Sequence, residues 1–375
     1  MAKKLGVLFL VVALMLSVAV GCAAPKAEAP AEKVAEEVAE EVAEAPAEDV
    51  GEGIVVGVAM PTKSLQRWNQ DGSNMKDQLE AKGFEVDLQY AENEVAKQVE
   101  QLENMITKGV NALVIASIDG VALGPVLQEA KAEGIPVIAY DRLIMESDAV
   151  DYYATFDNYM VGTIQGQYVI DTLGLADGEV GPFNMEVFAG SPDDNNAVFF
   201  NKGAMDALQP YIDSGVLNIV SGQTDFQVIA IQGWTPEGAQ DRMDNLLTAF
   251  YADKEIDVVL SPNDSLAQGI AASLGDREPY PVITGQDCDV NSMKNILAGK
   301  QSMSIFKDTR TLAAQVVDMV TAIVEGNDVP VNDTETYDNG LGIVPSYLCT
   351  PVFADINNYE ELLIDSGYYT ADQLQ

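Results

Sequence analysis

IPVIAYDRLIMESDAVDYYATFDN, residues 135–158, is the stretch on which the reading of this chain turns. It opens as a strand, because the apolar run Ile135 to Tyr140 follows a turn at Gly134. The run ends on Asp141 and Arg142, and in an open parallel sheet ligands bind beyond the carboxyl ends of the strands. A second short strand, Tyr153 to Phe156, then meets Asp157 and Asn158, a good helix-capping pair. That junction is expected to carry the chain from one lobe to the next. Taken alone, Asp141 and Arg142 are equally well explained by a surface turn with an incidental ion pair. The other strand ends decide between the two.

Working outward, strands and helices alternate on both sides. Before the key stretch, strands are expected at Ile54 to Met60, Phe84 to Tyr90 and Ala112 to Ser117. The helices between them run from Asp71 to Lys82, Glu94 to Lys108 and Val121 to Glu133. After Asn158 the series restarts with a helix at Tyr159 to Leu173 and a strand at Gly181 to Phe188. GSPDDNNA, residues 190–197, then opens a helix, and Val216 to Val220 is a strand. Thr235-Pro236-Glu237 reads as a helix start with Thr as the cap. Further strands are expected at Val258 to Leu260, Pro281 to Thr284 and Ser302 to Phe306, a long helix at Thr309 to Glu325, and an added strand within Ile343 to Phe353. Continuous apolar strands separated by amphipathic helices predict parallel sheets covered on both faces. The fold class is therefore α/β, with two doubly wound parallel-sheet lobes whose strand ends face each other across a cleft, an architecture that closes on a small ligand.

Composition removes several functions. A formal charge of −39 argues against nucleic acid, whose phosphates need Lys and Arg. The chain has no histidine, which removes the commonest general base and metal ligand. Cys22, Cys288 and Cys349 form no Cys-x-x-Cys pair, so zinc, redox chemistry and cofactors find no support. Cys288 and Cys349 are expected as buried thiols, with a disulfide left open.

The amino terminus reads as a targeting segment. Lys3 and Lys4 precede the apolar run Leu5 to Val20, which is short for a membrane span, and small residues lead to Cys22. Residues 1–22 are expected to be a lipoprotein signal peptide with Cys22 lipidated. Residues 23–53 are rich in Ala, Glu and Pro and lack aromatics, which predicts an acidic flexible tether.

The strand ends carry one kind of chemistry. Lys63, Arg67 and Trp68 follow the first strand, and Asp141 and Arg142 the fourth. In the second series come Asp194, Asn195 and Asn196, then Trp234, Asn263 with Asp264, Asp287 and Lys307. Carboxylate, carboxamide and guanidinium groups suit the vicinal hydroxyls of a sugar. The two tryptophans of the chain fall one in a strand-end loop of each lobe, placed to clamp a flat ring. Each residue also has a plainer explanation. A tryptophan can be core, Asp157, Asp194 and Asp264 can be caps, Asn195 and Asn196 turn residues, and Lys63 a solvated charge.

Several segments together resemble the periplasmic sugar-binding proteins of ABC importers, their multiple-monosaccharide and D-xylose branches in particular. These segments are MPTKSLQRW (60–68), NMITKGVNALVIASIDG (104–120), VIAYDRLI (137–144), YYATFDN (152–158), GSPDDNNA, RMDNLLTAFY (242–251), GQD (285–287), IFKDTR (305–310) and VPSYL (344–348). The resemblance covers roughly residues 54–375. It implies a type I periplasmic binding fold with a three-segment hinge crossed near residues 157, 307 and 342. The amino-terminal lobe would then comprise residues 54–156 with 308–341, and the carboxy-terminal lobe 157–307 with 342–375. It implies that Arg67, Trp68, Asp141, Arg142, Asn196, Trp234, Asn263, Asp287 and Lys307 bind the sugar; the strand-end reading adds Lys63 and Asp194.

The expected function is thus a lipid-anchored, exported monosaccharide receptor for an ABC importer. It would be a monomer, with the permease and ATPase complex as partner and the membrane reached through Cys22. A sensor presenting sugar to a membrane receptor fits the same residues. A secreted sugar-processing enzyme would need paired carboxylates free of Arg and Asn partners, and a repressor of this fold would need a basic amino-terminal DNA-binding element.

Overall fold

A computed structural model describes residues 53–375; the signal-peptide reading, Cys22 and the tether up to its last residue lie outside the described residues. The first lobe is built in chain order from β1 (Val55–Met60), α1 (Gln66–Ala81), β2 (Glu85–Tyr90), α2 (Val95–Lys108), β3 (Ala112–Ile115), α3 (Gly124–Ala132), β4 (Val137–Tyr140) and β5 (Tyr152–Phe156). Asp157 then caps α4 (Asn158–Thr172), its carboxylate accepting from the Met160 amide at 2.9 Å.

The second lobe continues with β6 (Phe183–Val187), α5 (Asn195–Asp213), β7 (Leu217–Ile219), α6 (Phe226–Ile229), α7 (Pro236–Phe250), β8 (Val258–Leu260), α8 (Asp264–Leu274), β9 (Val282–Ile283), α9 (Val290–Leu297) and β10 (Met303–Phe306). The chain returns as α10 (Thr309–Glu325) and β11 (Ser346–Cys349), then ends beyond β12 (Val352–Asp355).

The first sheet has the order β11-β5-β4-β3-β1-β2, parallel throughout. Its central strands are wholly apolar because both faces are covered. Val56, Val58 and Met60 pack under α1 and α10, and Leu113, Ile115 and Val137 under α2 and α3. The edge strand β2, EVDLQY, carries charge and is half-buried, which suits an edge. The second sheet, β7-β6-β8-β9, is also parallel. It is extended by a bridge from Gln286 to Ile305 and by the antiparallel pair β10-β12, so its rim departs from the expected all-parallel series. Helices α4 and α5 touch through Gly162 and Gly203, where any Cβ would strike the facing backbone.

The carboxy-terminal segment corrects one expectation. Residues 343–353 are not one strand: β11 pairs in parallel with β5 in the first sheet, while β12 pairs with β10 in the second. The third crossing therefore falls between Cys349 and Val352 rather than near 342. Pro351 breaks the run because it has no amide hydrogen to give a ladder.

Cys288 and Cys349 are buried free thiols.

Candidate functional site

The carboxyl ends of the strands in both sheets converge on one cleft. Its walls carry Arg67, Trp68, Asp141, Arg142, Asp194, Asn196, Trp234, Asn263, Asp287 and Lys307. Lys63 is the expected site residue that is not there. It is exposed, with its ammonium 4.8 Å from the Tyr90 ring centre, and does not line the cleft. About 430 Å³ of atom-free space, part of it open to solvent, lies in the cleft, and side chains of the two lobes already meet across it.

Arg67 is the hub. Its guanidinium reaches Asp71 (2.8 Å), Asp141 (2.5 Å) and, from the other lobe, Asp287 (3.3 Å). Lys307, directly after β10, pairs with Asp287 at 3.1 Å and lies 3.8 Å from Asp141. Arg142 pairs with Asp194 at 3.0 Å and donates to the Ser117 carbonyl at 3.1 Å. The guanidiniums of Arg67 and Arg142 both lie over the Trp68 ring, 4.8 and 5.1 Å from its centre. Burial alone would raise the Asp141 carboxyl, but Arg67, Lys307 and Arg142 overcome it and hold that carboxyl below its ordinary value. Asp141 is therefore an ionised acceptor. Asp194 goes the other way: burial raises it more than Arg142 lowers it.

Helix α1 begins five residues before the expected Asp71, so Arg67 and Trp68 lie on its first turn and not in a loop. Its first residue is preceded by Leu65, which offers no side-chain cap. The turn is held instead by the Arg67–Asp71 pair and by the buried Trp68, contacts that no local pattern announces. Asp71 was missed for the same reason. It is fully buried, hydrogen-bonded by the Tyr140 hydroxyl, and positions Arg67; read at i+4 on a longer helix it would have been visible.

Three cleft residues adopt backbone angles that favour glycine: Asp141 (φ 59°), Trp234 (φ 57°) and Asp287 (φ 97°). Such strain costs about 1–3 kcal/mol per residue and gathers at functional sites. At Asp141 the cause is plain. Its carbonyl accepts from the Tyr153 hydroxyl (2.6 Å), Thr155 Oγ1 (3.0 Å) and, across the cleft, Asn196 Nδ2 (2.6 Å). That net turns the carboxylate inward.

In the second lobe, cap and cleft roles coincide. Asp194 caps α5 through Oδ1, accepting from the Asn196 amide, while Oδ2 faces Arg142 and accepts from Trp234 Nε1 at 3.2 Å. Asn263, and not Asp264, caps α8, accepting from the Leu266 amide at 3.1 Å and leaving Nδ2 free for the cleft. Thr235 stands at the cap position of α7, but its hydroxyl donates to the Gln232 carbonyl instead. Trp234 is seated over Gly190, where a Cβ would overlap the indole, and its edge meets Phe200.

Leu65, Phe200, Ser265, Gln286 and Asp289 also line the cleft and were not singled out from the sequence. Asp289 lies behind Asp287, its amide bonded to buried Asp264 and its Oδ1 buried without a hydrogen-bond partner. Burial first, then repulsion from Asp287, pushes its carboxyl up to about 7. A carboxyl raised from about 4 in the unfolded chain contributes stability below that pH and loses it as pH climbs towards 7. Asp289→Asn should therefore raise the unfolding midpoint at pH 8 and leave it little changed at pH 4, as thermal melts at both values would show.

Comparison with known proteins places this cleft. The sequence pattern of the periplasmic binding protein domain matches residues 56–328. The chain belongs to the periplasmic binding protein family. This periplasmic binding protein is 54% identical over 326 residues to the multiple sugar-binding periplasmic protein SbpA of Azospirillum brasilense, covering 85% of this chain and 91% of that one. It is 36% identical to the D-xylose-binding periplasmic protein of Escherichia coli, covering 86% and 92% of the two chains. Its fold superposes with a TM-score of 0.84 on the crystal structure of an ABC transporter solute binding protein from Clostridium phytofermentans with bound β-D-glucose. That structure is 63% identical and is matched over 86% of this chain and 100% of its own. The type I periplasmic binding fold expected from the sequence is the fold observed. Family membership makes this periplasmic binding protein a binding protein and not an enzyme.

Proposed function

We propose that this periplasmic binding protein takes a monosaccharide, an aldose such as glucose, galactose, xylose or arabinose, between its lobes and delivers it to an ABC importer. The observation that carries this reading is the cleft itself. Ionised Asp141, two guanidiniums, Asn196, Asn263 and two indoles stand on the strand ends of both lobes. Flat bidentate groups match vicinal hydroxyls, and an indole matches the C–H face of a sugar ring. The names of SbpA, the D-xylose-binding protein and the glucose-bound solute binding protein support the same class.

In this reading the lobes, 54–156 with 308–349 and 157–307 with 350–375, move as bodies about three hinge segments. The cross-cleft pairs Arg67–Asp287, Arg142–Asp194 and Asn196–Asp141 are exchanged for sugar hydroxyls as ligand enters. Ligand touching both lobes favours the closed form, which the importer reads. Export, with a lipid on Cys22 holding the protein at the membrane, completes the proposal.

Calorimetric titration of the purified protein with glucose, galactose, xylose and arabinose should give saturable heat with at least one of them. No heat and no tryptophan fluorescence change with any would overturn the reading. Cys22→Ala should move the protein from the membrane fraction to the soluble one.

A further inference from the structure

The carboxy-terminal residues after β12 make hydrogen bonds to both lobes. The Tyr369 ring is buried in a small second-lobe core with Met293, Ile296 and Leu363. Its hydroxyl donates to the Cys288 carbonyl at 3.0 Å, one residue after Asp287. The same oxygen accepts from Gln66 Nε2 (2.6 Å) and Gln70 Nε2 (3.2 Å), one turn apart on the first-lobe helix α1. Gln66 Oε1 in turn accepts from the Val290 amide at 3.1 Å, an orphan donor at the start of second-lobe helix α9. One residue earlier in the chain, Tyr368 shares a 3.1 Å hydrogen bond with Thr309, two residues past the Lys307 hinge segment.

One phenol oxygen thus ties the first turn of α1 to the loop that carries Asp287. Gln66 directly precedes Arg67 and Trp68. None of Gln66, Gln70 and Tyr369 lines the cleft. These bonds join residues of different lobes, so rotation that separates α1 from α9 breaks them. Contacts present only when the lobes are together raise the share of the binding-competent form, and apparent affinity rises in proportion.

We propose that Tyr369 is a closure latch, a positioning residue that sets ligand affinity by holding α1 to the second lobe without touching the ligand. The proposal rests on the sugar-binding reading above for its affinity readout only.

The test uses Tyr369→Phe, Gln66→Met and the double variant, each titrated with D-glucose by calorimetry. Small-angle scattering is recorded with and without sugar. Losing neutral hydrogen bonds of ordinary net strength predicts about three- to tenfold weaker binding for each single variant. The double variant should be weaker than either single one yet fall short of the sum of their losses, because the Gln66–Tyr369 bond is removed by both. Scattering should show Tyr369→Phe needing more glucose than the parent to compact. Additive losses, or an unchanged affinity and scattering curve in Tyr369→Phe, would overturn the latch. If Tyr369→Phe does not fold, Gln66→Met with Gln70→Met carries the same expectation from the helix side. If the parent protein binds no aldose, the proposed ligand class fails instead. The latch is then read from sugar-free scattering, where a radius of gyration in Tyr369→Phe equal to the parent's sinks it.

Discussion

Asp141→Asn is expected to weaken monosaccharide binding by roughly 2–5 kcal/mol, the range found when one partner of a buried, hydrogen-bonded charge pair is removed. Asparagine tolerates the φ of 59° at this position as well as aspartate does, so the backbone turn should survive. The measured loss would then report charge. The charge that disappears is the one shared by Arg67 and Lys307, and the carboxamide left in its place pairs less well with both cations in a buried site. Calorimetry with the preferred aldose, beside a circular dichroism spectrum to confirm folding, checks it. An affinity within twofold of the parent's would mean that Asp141 organises the cleft without meeting the ligand. The low-lying Asp141 carboxyl also fixes a sign: its contribution is present at neutral pH and is lost as pH falls through its depressed value.

The second large effect is expected at the indole of the second lobe. Trp234→Ala should cost about 3–5 kcal/mol in stability if the ring serves only as core, the range for truncating a buried aromatic. If it is a stacking plate, ligand affinity should fall as well, by roughly 1–3 kcal/mol. Gly190→Ala separates the two roles. A methyl there displaces the indole by pressing on its six-membered ring while leaving its surface in the protein. That variant should lose affinity with a smaller loss of stability. Unchanged binding in Gly190→Ala would show that the position of the ring is immaterial to the ligand.

Much of this architecture was legible in the sequence because it is written in local patterns. The strand Val258–Leu260 and the helix Thr309–Glu325 fall where apolar period and flanking residues put them, and Asp157 caps α4 as its place before Asn158 suggested. The gathering of Asp141, Asn196, Trp234 and Asp287 followed from one rule, that ligands meet parallel sheets at their carboxyl ends.

The misreadings have physical causes too. The sequence hides the true start of α1 because Leu65 is no cap and the first turn is stabilised by the distant Asp141. Lys63 shares a segment with Arg67, which in sequence puts it with the site, yet once α1 begins at Gln66 it falls outside the cleft, over Tyr90. In sequence the tail looks like one strand because β11 and β12 are both strand-like runs, and only pairing shows that they serve different sheets.

By itself the sequence determined the alternation of buried strands and amphipathic helices, the two-lobed α/β class and most of the cleft's polar and aromatic residues, since each depends on neighbours within a few positions. Only the tertiary structure decided which carboxylate meets which cation, where the chain makes its last crossing, and that Tyr369 spans the lobes. Those contacts join residues as far apart as Gln66 and Tyr369, and distance in sequence carries no trace of nearness in space.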